Sequence, residues 1–158
     1  MKGPTMETIA TVTHVEGSKF DATTASGHTV RLEGGDKTTG GSPMEMVLVA
    51  LGGCSSVTIV SLLEKMRQPF ESLEVELFAD RAEDPPRVYT KIHAHYRVSG
   101  NVDEERVGRA IELTESKYCS VYTMLAKTAE MSHTIELVEG WRCRRWDSNP
   151  HGVSPNGV

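Results

Sequence analysis

The chain has 158 residues, a formal net charge of -5 at pH 7 and a sequence pI of about 5.7. Its length suits one domain with a sizeable core. Its acidic balance argues against a nucleic-acid-binding surface, which needs clustered basic residues. With 38% hydrophobic and 25% charged residues, the composition is that of a folded, soluble protein rather than a disordered one.

The number of cysteines and the apolar segments predict the cellular location of the protein. Three cysteines, an odd number, do not make the disulfide framework of a small secreted protein, so the expected location is the reducing cytoplasm. We expect no signal peptide, because residues 1–12 contain no apolar segment with a small-residue cleavage site. The longest apolar run, residues 47–63, is interrupted by glycines and serines, so we also expect no membrane span.

Short segments rich in threonine and valine, separated by turn residues, predict three strands of an antiparallel meander. They cover residues 7–15, 19–24 and 28–33. The next segment, residues 34–41, has four glycines in eight positions and is predicted to be a flexible loop.

A long apolar helix is predicted after this loop. Ser42 fits an N-cap, Pro43 the first helical position and Glu45 the third, which together form a capping box. The helix can extend to about Met66, and Gln68-Pro69 ends it.

This helix is apolar on nearly all sides, which predicts burial on more than one side, within the domain or at a subunit interface. Gly52 and Gly53 in its interior cost about 2 kcal/mol of helix propensity relative to two alanines. Because small residues permit close approach of another backbone, we predict a crossing with a second helix, such as the same helix of a partner subunit.

The second half of the chain predicts a β-hairpin, two helices and a last strand. These elements cover residues 73–84 and 87–100 around the turn at Pro85-Pro86, then residues 102–119, about 120–129 and 132–140. The tail, residues 141–158, has no periodicity and is predicted to be disordered or non-native, which leaves residues 1–140 as the domain.

Two cysteines lie in segments that favour thiol chemistry. Cys54 is flanked by small residues of the long helix, which leave space around the sulfur for a substrate. Cys119 lies at a break between two helical patterns, near a helix start whose N–H groups and dipole stabilise a thiolate. For each cysteine, packing as a small buried hydrophobe is the alternative interpretation. If the fold brings the two together, they form a reducible disulfide pair.

A resemblance to a known family rests on the helix sequence SPMEMVLVALGGCSSVTIVSLLEKMRQP and on the later ESKYCSV. These segments resemble the OsmC/Ohr family of thiol-dependent peroxidases, and within it the OsmC-like (YhfA-type) branch. The resemblance covers about residues 6–138. It implies an α+β fold of the OsmC-like type, with antiparallel sheets, a long central buried helix and an intertwined homodimer. It implies neither a cofactor nor a metal.

The resemblance also implies a reaction. Cys54 is the peroxidatic cysteine, whose thiolate attacks an organic hydroperoxide and becomes a sulfenic acid. Cys119 is the resolving cysteine, which converts the sulfenic acid into a disulfide. An external dithiol of the lipoyl or thioredoxin type then reduces the disulfide by exchange. The implied role is defence against oxidative and osmotic stress.

Charged residues around the thiolate are implied as well. Arg31, in HTVRLEGG, matches the family's thiolate-stabilising arginine, with an ordinary strand arginine as the alternative. Lys19 occupies roughly the place of the Ohr-type arginine and would be a poorer substitute. The family's arginine-orienting glutamate directly follows the helix-start proline, where this chain has Met44. Glu45 follows one residue later, rotated by about 100° around the helix, so the capping box is an alternative role for it.

Two further features are weaker. His93 and His95 point to one face of a strand, but two ligands make a poor metal site, so a solvated strand face is the favoured interpretation. Cys143 has no recognisable partner and is interpreted as incidental.

Two other functions stay open beside the peroxidase. One is a non-catalytic protein on the same fold that binds a small ligand or senses redox state, and Met44 in the glutamate position favours it. The other is a structural protein whose buried cysteines are inert, which predicts slow labelling of both thiols at neutral pH.

Overall fold

The computed structural model describes residues 9–139 of the chain. The predicted tail, residues 141–158, lies outside the described residues, and so does Cys143. By compactness the chain divides into two units, the first ending at Leu51 and the second beginning at Gly52.

The first unit begins with a three-stranded antiparallel sheet in the order β1-β2-β3, which confirms the predicted meander. The strands are Ala10–Glu16 (β1), Lys19–Thr24 (β2) and Thr29–Glu33 (β3). Threonine and valine recur in them because β-branched side chains suit a pleated backbone.

The glycine-rich loop after β3 is anchored by one carboxylate. The buried Glu33 side chain accepts hydrogen bonds from the backbone N–H groups of Thr39 at 2.7 Å and Gly40 at 3.2 Å, and from the Thr39 hydroxyl at 2.8 Å. A Cβ at Gly40 would lie 2.6 Å from the carbonyl oxygen of Arg31, so the close approach requires glycine. The composition predicts flexibility here, and it misses the Glu33 contacts because they depend on the path of the folded chain.

The long helix α1 covers Pro43–Lys65, close to its predicted bounds. Its start is the predicted capping box. The Glu45 carboxylate accepts a hydrogen bond from the Ser42 backbone N–H at 2.6 Å, and the Glu45 backbone N–H donates to Ser42 Oγ at 3.2 Å. The helix contributes residues 43–51 to the first unit and 52–65 to the second.

One stripe of α1 is buried in the second unit. Ser55, Ile59 and Leu63, spaced by four residues, are 1%, 0% and 0% exposed, whereas Val57 is 73% exposed. The predicted burial on more than one side is therefore not reached within the described part of the chain. By length and apolar composition α1 is also long enough to cross a membrane, a criterion that core helices of soluble proteins meet as well.

The second unit contains a sheet in the order β4-β5-β6. The strands are Phe70–Arg81 (β4), Tyr89–Gly100 (β5) and Glu130–Val138 (β6). β4 and β5 are antiparallel and form the predicted hairpin. β6 runs parallel to β5, so the prediction of purely antiparallel sheets is wrong for this pair. Parallel neighbours need a crossover connection, which the helical segment between β5 and β6 supplies.

The crossover begins with a capped helix and ends at a break. It comprises α2 (Glu104–Leu113), a π-helical turn (Thr114–Tyr118) and α3 (Ser120–Leu125). The Asp103 carboxylate caps α2 by accepting from the Arg106 backbone N–H at 3.0 Å. Where the sequence predicts one helix over residues 102–119, the wider turn intervenes, and the Cys119 backbone N–H donates to the Thr114 carbonyl at 2.8 Å.

The core of the second unit lies between β5, α1 and α2. Its buried members are Ile59, Leu63, Ala94, Tyr96, Val98, Val107, Ala110 and Ile111. Because side chains alternate along a strand, Ala94, Tyr96 and Val98 define an inner face of the sheet, and the intervening His95 and Arg97 define an outer face.

The two glycines of α1 have different surroundings. A Cβ at Gly52 would approach Leu77 Cδ1 of β4 at 3.1 Å, so a side chain of the sheet explains the small residue there. At Gly53 an added Cβ would meet nothing within 4 Å among the residues that the structure describes. The helix crossing that the sequence predicts has no second helix at either glycine within residues 9–139, and Gly53 leaves open space.

Candidate active site at two cysteines

A helix and a helix break bring two sulfurs together within the second unit. α1 carries Cys54, which is partly exposed, and α3 has Cys119 as its N-cap, with φ -78° and ψ 104°. Cys119 is fully buried, and both thiols are free. The two side chains are hydrogen-bonded to each other. The structure therefore joins the two cysteines that the sequence singles out.

The Cys119 sulfur is held in its protonated form. The Ser55 hydroxyl donates to Cys119 Sγ at 3.5 Å, and the Tyr122 backbone N–H donates at 3.4 Å. Burial nevertheless raises the pKa of Cys119, and the neighbouring Cys54 raises it further. The sequence predicts that the helix start stabilises a thiolate at Cys119. The Tyr122 N–H contact at the helix start lowers the pKa of Cys119 as predicted, but burial outweighs it.

At Cys54 the hydrogen bonds outweigh burial in their effect on the thiol pKa. Burial acts to raise the pKa of this thiol, but hydrogen bonds lower it more, so the pKa of Cys54 lies below its ordinary value. The donors are the Cys119 thiol, the backbone N–H groups of Val121 and Ser120, and the Ser120 hydroxyl. The start of α3 thus acts on Cys54, which has the lower thiol pKa of the pair.

A buried polar cluster lies behind Cys119. The Ser55 hydroxyl is hydrogen-bonded to the Tyr96 phenol as well as to Cys119. The Tyr96 hydroxyl donates to Glu115 Oε1 at 3.4 Å, and Glu115 Oε2 lies 2.9 Å from His133 Nδ1. Sequence reasoning misses this cluster, because its members come from separate elements and no motif or spacing links them.

Arg31, the predicted thiolate-stabilising residue, lies on β3 of the first unit. Its Nε and Nη2 atoms pair with the Asp21 carboxylate of β2, at 3.2 Å for Nη2. The Asp21 hydrogen bond is the largest cause that raises the pKa of Arg31, so the guanidinium keeps its charge. Asp21 is a partner that only the register of β2 against β3 reveals. The role of Arg31 toward the thiolate stays a prediction.

Glu45 and Lys19 have local partners. Besides its capping contacts, the Glu45 carboxylate accepts from Lys37 Nζ at 3.3 Å, and the Ser42 backbone N–H is the main cause that lowers the pKa of Glu45. Lys19 Nζ lies 3.2 Å from Glu16 Oε1 on the first hairpin. The capping role that the sequence gives Glu45 as an alternative is confirmed.

The two strand histidines belong to a hydrogen-bonded row on the outer face. His93 contacts Ser132 Oγ at 2.8 Å and Thr134 Oγ1 at 3.0 Å. His95 contacts Thr134 Oγ1 at 2.7 Å and Glu136 Oε2 at 3.1 Å. Among residues 9–139, no group of three or more His, Cys, Asp or Glu side chains is placed to hold a metal ion.

The fold and the site together define a class of protein. Cys54, a partly exposed thiol with a lowered pKa, is hydrogen-bonded to Cys119, a buried thiol with a raised pKa, within an α+β fold. A partly exposed thiol beside a buried second thiol is an arrangement typical of two-cysteine thiol proteins.

Comparisons with known proteins give the family. The chain belongs to the family of OsmC-like proteins, whose model matches residues 34–134. It is 43% identical over 130 residues to protein YhfA of Escherichia coli (strain K12), across 82% of this chain and 97% of that protein.

Solved structures share the fold. The crystal structure of a hypothetical protein from Aquifex aeolicus VF5 has a TM-score of 0.78 at 26% identity, covering 87% of this chain and 100% of that one. An organic hydroperoxide resistance protein OsmC from Legionella pneumophila has a TM-score of 0.61 at 11% identity, covering 85% and 99%. The resemblance to the OsmC/Ohr family is confirmed.

Proposed function

We propose that the protein is a thiol-dependent hydroperoxide reductase in which Cys54 is the peroxidatic cysteine and Cys119 the resolving cysteine. The observation that carries the proposal is that the two cysteines differ in exposure and in thiol pKa. Cys54 is partly exposed with a lowered thiol pKa, and Cys119 is buried with a raised one. A peroxidatic sulfur must be an accessible thiolate, and a resolving sulfur must lie close to it.

The reaction has three balanced steps. The Cys54 thiolate attacks the distal oxygen of a hydroperoxide, so that the O–O bond breaks, a sulfenic acid forms, and the leaving alkoxide takes a proton from solvent to become the alcohol. Cys119 then attacks the Cys54 sulfur, a disulfide forms, and the sulfenic oxygen leaves as water. An external dithiol supplies two electrons by thiol–disulfide exchange, becomes a disulfide itself and restores both thiols.

The direct test is consumption of cumene hydroperoxide by reduced protein with dithiothreitol as the dithiol. Cys54→Ser should abolish consumption. Cys119→Ser is the matched control, because it keeps the peroxidatic sulfur. In the absence of dithiothreitol it should react once and hold a sulfenic acid that dimedone traps. Unchanged turnover in Cys54→Ser would sink the proposal.

The Ser120 hydroxyl offers a finer test, because it is one of the donors that lower the pKa of Cys54. Ser120→Ala should move the pH midpoint of Cys54 alkylation upward in a Cys119→Ser background, with slower labelling at neutral pH and equal rates in alkali. Ser116→Ala is the matched control, since that exposed hydroxyl bonds the Glu112 carbonyl instead. An unmoved midpoint in Ser120→Ala contradicts the assignment.

A role for Arg31 in stabilising the thiolate is supported by the family resemblance and by a guanidinium whose charge Asp21 secures. Arg31→Met should raise the pH midpoint of Cys54 alkylation and slow the peroxide step at neutral pH. Glu45→Gln should change that midpoint less, because the Glu45 carboxylate is already engaged by Ser42 and Lys37. Identical profiles for wild type and Arg31→Met would remove Arg31 from the reaction.

A redox sensor or small-ligand-binding protein on the same fold is the second candidate. The observation that favours it is Met44 at the family's glutamate position, with Glu45 committed to the helix start. A sensor forms the Cys54–Cys119 disulfide once per oxidation event, whereas a peroxidase is driven through many cycles by a dithiol. Counting peroxide equivalents consumed per protein in excess dithiothreitol separates the two.

We further propose a cytoplasmic homodimer whose reductant is a lipoyl- or thioredoxin-type dithiol. The exposed Val57 and the open space at Gly53 support a contact between α1 and a second copy of the chain. Gly53→Leu should shift the sedimentation coefficient toward that of a monomer, and Glu105→Leu on exposed α2 should not. Equal dimer content in both variants contradicts this contact.

A further inference from the structure

The polar cluster behind Cys119 has the form of a path for a proton. Cys119 is fully buried, so its proton has no direct contact with bulk water. The Ser55 hydroxyl lies 3.5 Å from the Cys119 sulfur and also bonds the Tyr96 phenol. The Tyr96 hydroxyl continues to Glu115 Oε1 at 3.4 Å. Three consecutive polar contacts therefore join the buried thiol to a carboxylate.

The other end of this path reaches solvent. The Glu115 side chain is 11% exposed, and that of His133, 2.9 Å away, is 28% exposed. Glu115 also lines a surface pocket of about 400 Å³ that opens to water. The remaining residues of that pocket are Arg109, Glu112, Ser116 and Tyr122. A proton that arrives at Glu115 can therefore leave the protein.

The chemistry of each member suits transfer. The hydroxyls of Ser55 and Tyr96 each donate and accept, so they can pass a proton in either direction by turning. Burial and the Glu115 charge raise the pKa of Tyr96, which therefore stays a neutral phenol between transfers. Burial also raises the pKa of Glu115, which makes its carboxylate a better proton acceptor than an ordinary glutamate.

The reduced and oxidised states use Cys119 differently. In the reduced protein the Cys119 thiol donates to the Cys54 sulfur and helps to stabilise the thiolate there. Oxidation of Cys54 to the sulfenic acid removes that negative charge, so the Cys119 proton is free to turn toward the Ser55 oxygen. Cys119 must lose this proton before its sulfur can act as a nucleophile.

We propose that Ser55, Tyr96 and Glu115, with His133 at the outer end, form a proton relay for the resolving cysteine. This inference rests on the proposed function of the two cysteines. As Cys119 attacks, its proton moves to Ser55, that of Ser55 to Tyr96, and that of Tyr96 to Glu115. The freed electron pair forms the S–S bond, the S–O bond of Cys54 breaks, and the leaving hydroxide becomes water with a proton from solvent.

The same path works in reverse during reduction. A dithiol attacks the partly exposed Cys54 sulfur, and Cys119 leaves as a buried thiolate that needs a proton. The relay returns one from the side of Glu115 and His133. Ser55, Tyr96 and Glu115 thus act through Cys119 and never touch the peroxide.

Several charged or titratable groups face Glu115 and enter its pH dependence. His133 of β6 lowers the pKa of Glu115, whereas Glu112 of α2 raises it. Tyr122 of α3 stays neutral, because burial and Glu115 raise its pKa. Arg109, in the same pocket, lies 3.7 Å from Glu112 and offsets part of its charge.

The test separates the resolving step from the peroxide step in rapid-mixing experiments. Tyr96→Phe keeps the ring and removes the hydroxyl, and it should slow disulfide formation by about a hundredfold at neutral pH while sulfenic acid forms at the wild-type rate. Its resolving rate should then rise roughly tenfold per pH unit, because hydroxide must take the Cys119 proton. Tyr89→Phe, at a buried tyrosine of the same strand, should keep the wild-type profile.

Glu115→Gln provides an independent variant, because it leaves the phenol in place and removes the acceptor. It should show the same steep pH profile as Tyr96→Phe, and Glu105→Gln, an exposed acid of α2, should not. A purely structural cluster predicts equal slowing at every pH or none. Either outcome in both Tyr96→Phe and Glu115→Gln overturns the relay.

A second experiment separates failure of the proton relay from failure of the proposed peroxidase activity. If the wild type forms no sulfenic acid with cumene hydroperoxide, the peroxidase proposal fails, and the relay is judged on a Cys54–Cys119 disulfide made with diamide. Dithiothreitol should reduce that disulfide about tenfold or more slowly in Tyr96→Phe than in wild type or Tyr89→Phe. Equal reduction rates, or failure of diamide to form the disulfide, contradict the relay.

Discussion

Each face of the β4-β5-β6 sheet carries a contact between a histidine and a glutamate, and the two carboxylates respond in opposite ways. At the inner face His133 lies 2.9 Å from Glu115, and burial raises the pKa of Glu115 despite that contact. At the outer face His95 lies 3.1 Å from Glu136, and the hydrogen bonds from His95 and Arg97 lower the pKa of Glu136.

The difference shows that a histidine partner does not by itself decide the ionisation of a carboxylate. The Glu136 side chain is 41% exposed and also contacts the Arg97 guanidinium, whereas that of Glu115 is 11% exposed and has no arginine or lysine among its described hydrogen-bond partners. Hydration and a permanent charge favour the anion, and burial favours the acid. The inner pair suits proton exchange, and the outer pair suits a fixed charge.

The largest expected effect concerns packing on the two faces. Leu63→Ala removes a fully buried side chain of the inner core and should cost about 3 kcal/mol in the free energy of unfolding. Phe78→Ala on the outer face removes a side chain that is 56% exposed and should cost less than about 1 kcal/mol. Urea unfolding monitored by circular dichroism measures both. Equal losses would show that the outer face is also covered.

The next effect concerns pH. Because the pKa of Glu115 is raised on folding, its stabilising contribution is complete below the unfolded pKa of about 4.3 and is lost as pH rises through the folded value. Glu115→Gln should therefore gain stability relative to wild type as pH rises toward neutrality.

For Glu136 the sign is opposite. Its pKa is lowered on folding, so its contribution is present above about 4.3 and is lost as pH falls through the folded value. Glu136→Gln should lose stability relative to wild type at neutral pH and converge with it in acid. Urea midpoints of Glu136→Gln and Glu115→Gln across this pH range should diverge from wild type in opposite directions. Parallel curves would refute the comparison.

A smaller effect concerns the histidines themselves. His133→Gln should slow disulfide formation about two- to threefold, because it removes the outer member of the relay and leaves Glu115 in contact with solvent. His95→Gln should leave the rate unchanged, since its partners Thr134 and Glu136 lie on the other face. Quenched-flow trapping of free thiols measures both. A slower His95→Gln would mean that the two faces are coupled.

The smallest effect tests the hydrogen-bonded row of the outer face. Thr134→Val removes the hydroxyl that contacts both His93 and His95 at an exposed position. Water can replace those bonds, so the free energy of unfolding should change by less than about 0.5 kcal/mol. Urea unfolding checks this, and a loss several times larger would indicate that the row is covered in the assembled protein.

Local signals in the sequence account for much of the fold. The capping box of Ser42 and Glu45, the threonine- and valine-rich segments of β1 to β3, the β4-β5 hairpin and the helical spacing of α2 each depend on neighbours a few residues apart, and each is found as predicted. The parallel pairing of β6 escaped prediction, because strand direction depends on how a long crossover returns to the sheet. The π-helical turn escaped it as well, since Thr114–Tyr118 reads as ordinary helix.

By itself the sequence determined that Cys54 lies in a long apolar helix and that Cys119 lies at a helix break, because small residues and capping patterns act locally. The tertiary structure alone decided which of the two thiols has the lower pKa. Burial raises the pKa of Cys119, and donors from the start of α3 lower that of Cys54. It also decided that Tyr96 and Glu115 stand behind the buried thiol. Ionisation and proton paths depend on distances and hydration, and folding fixes both across elements far apart in the chain.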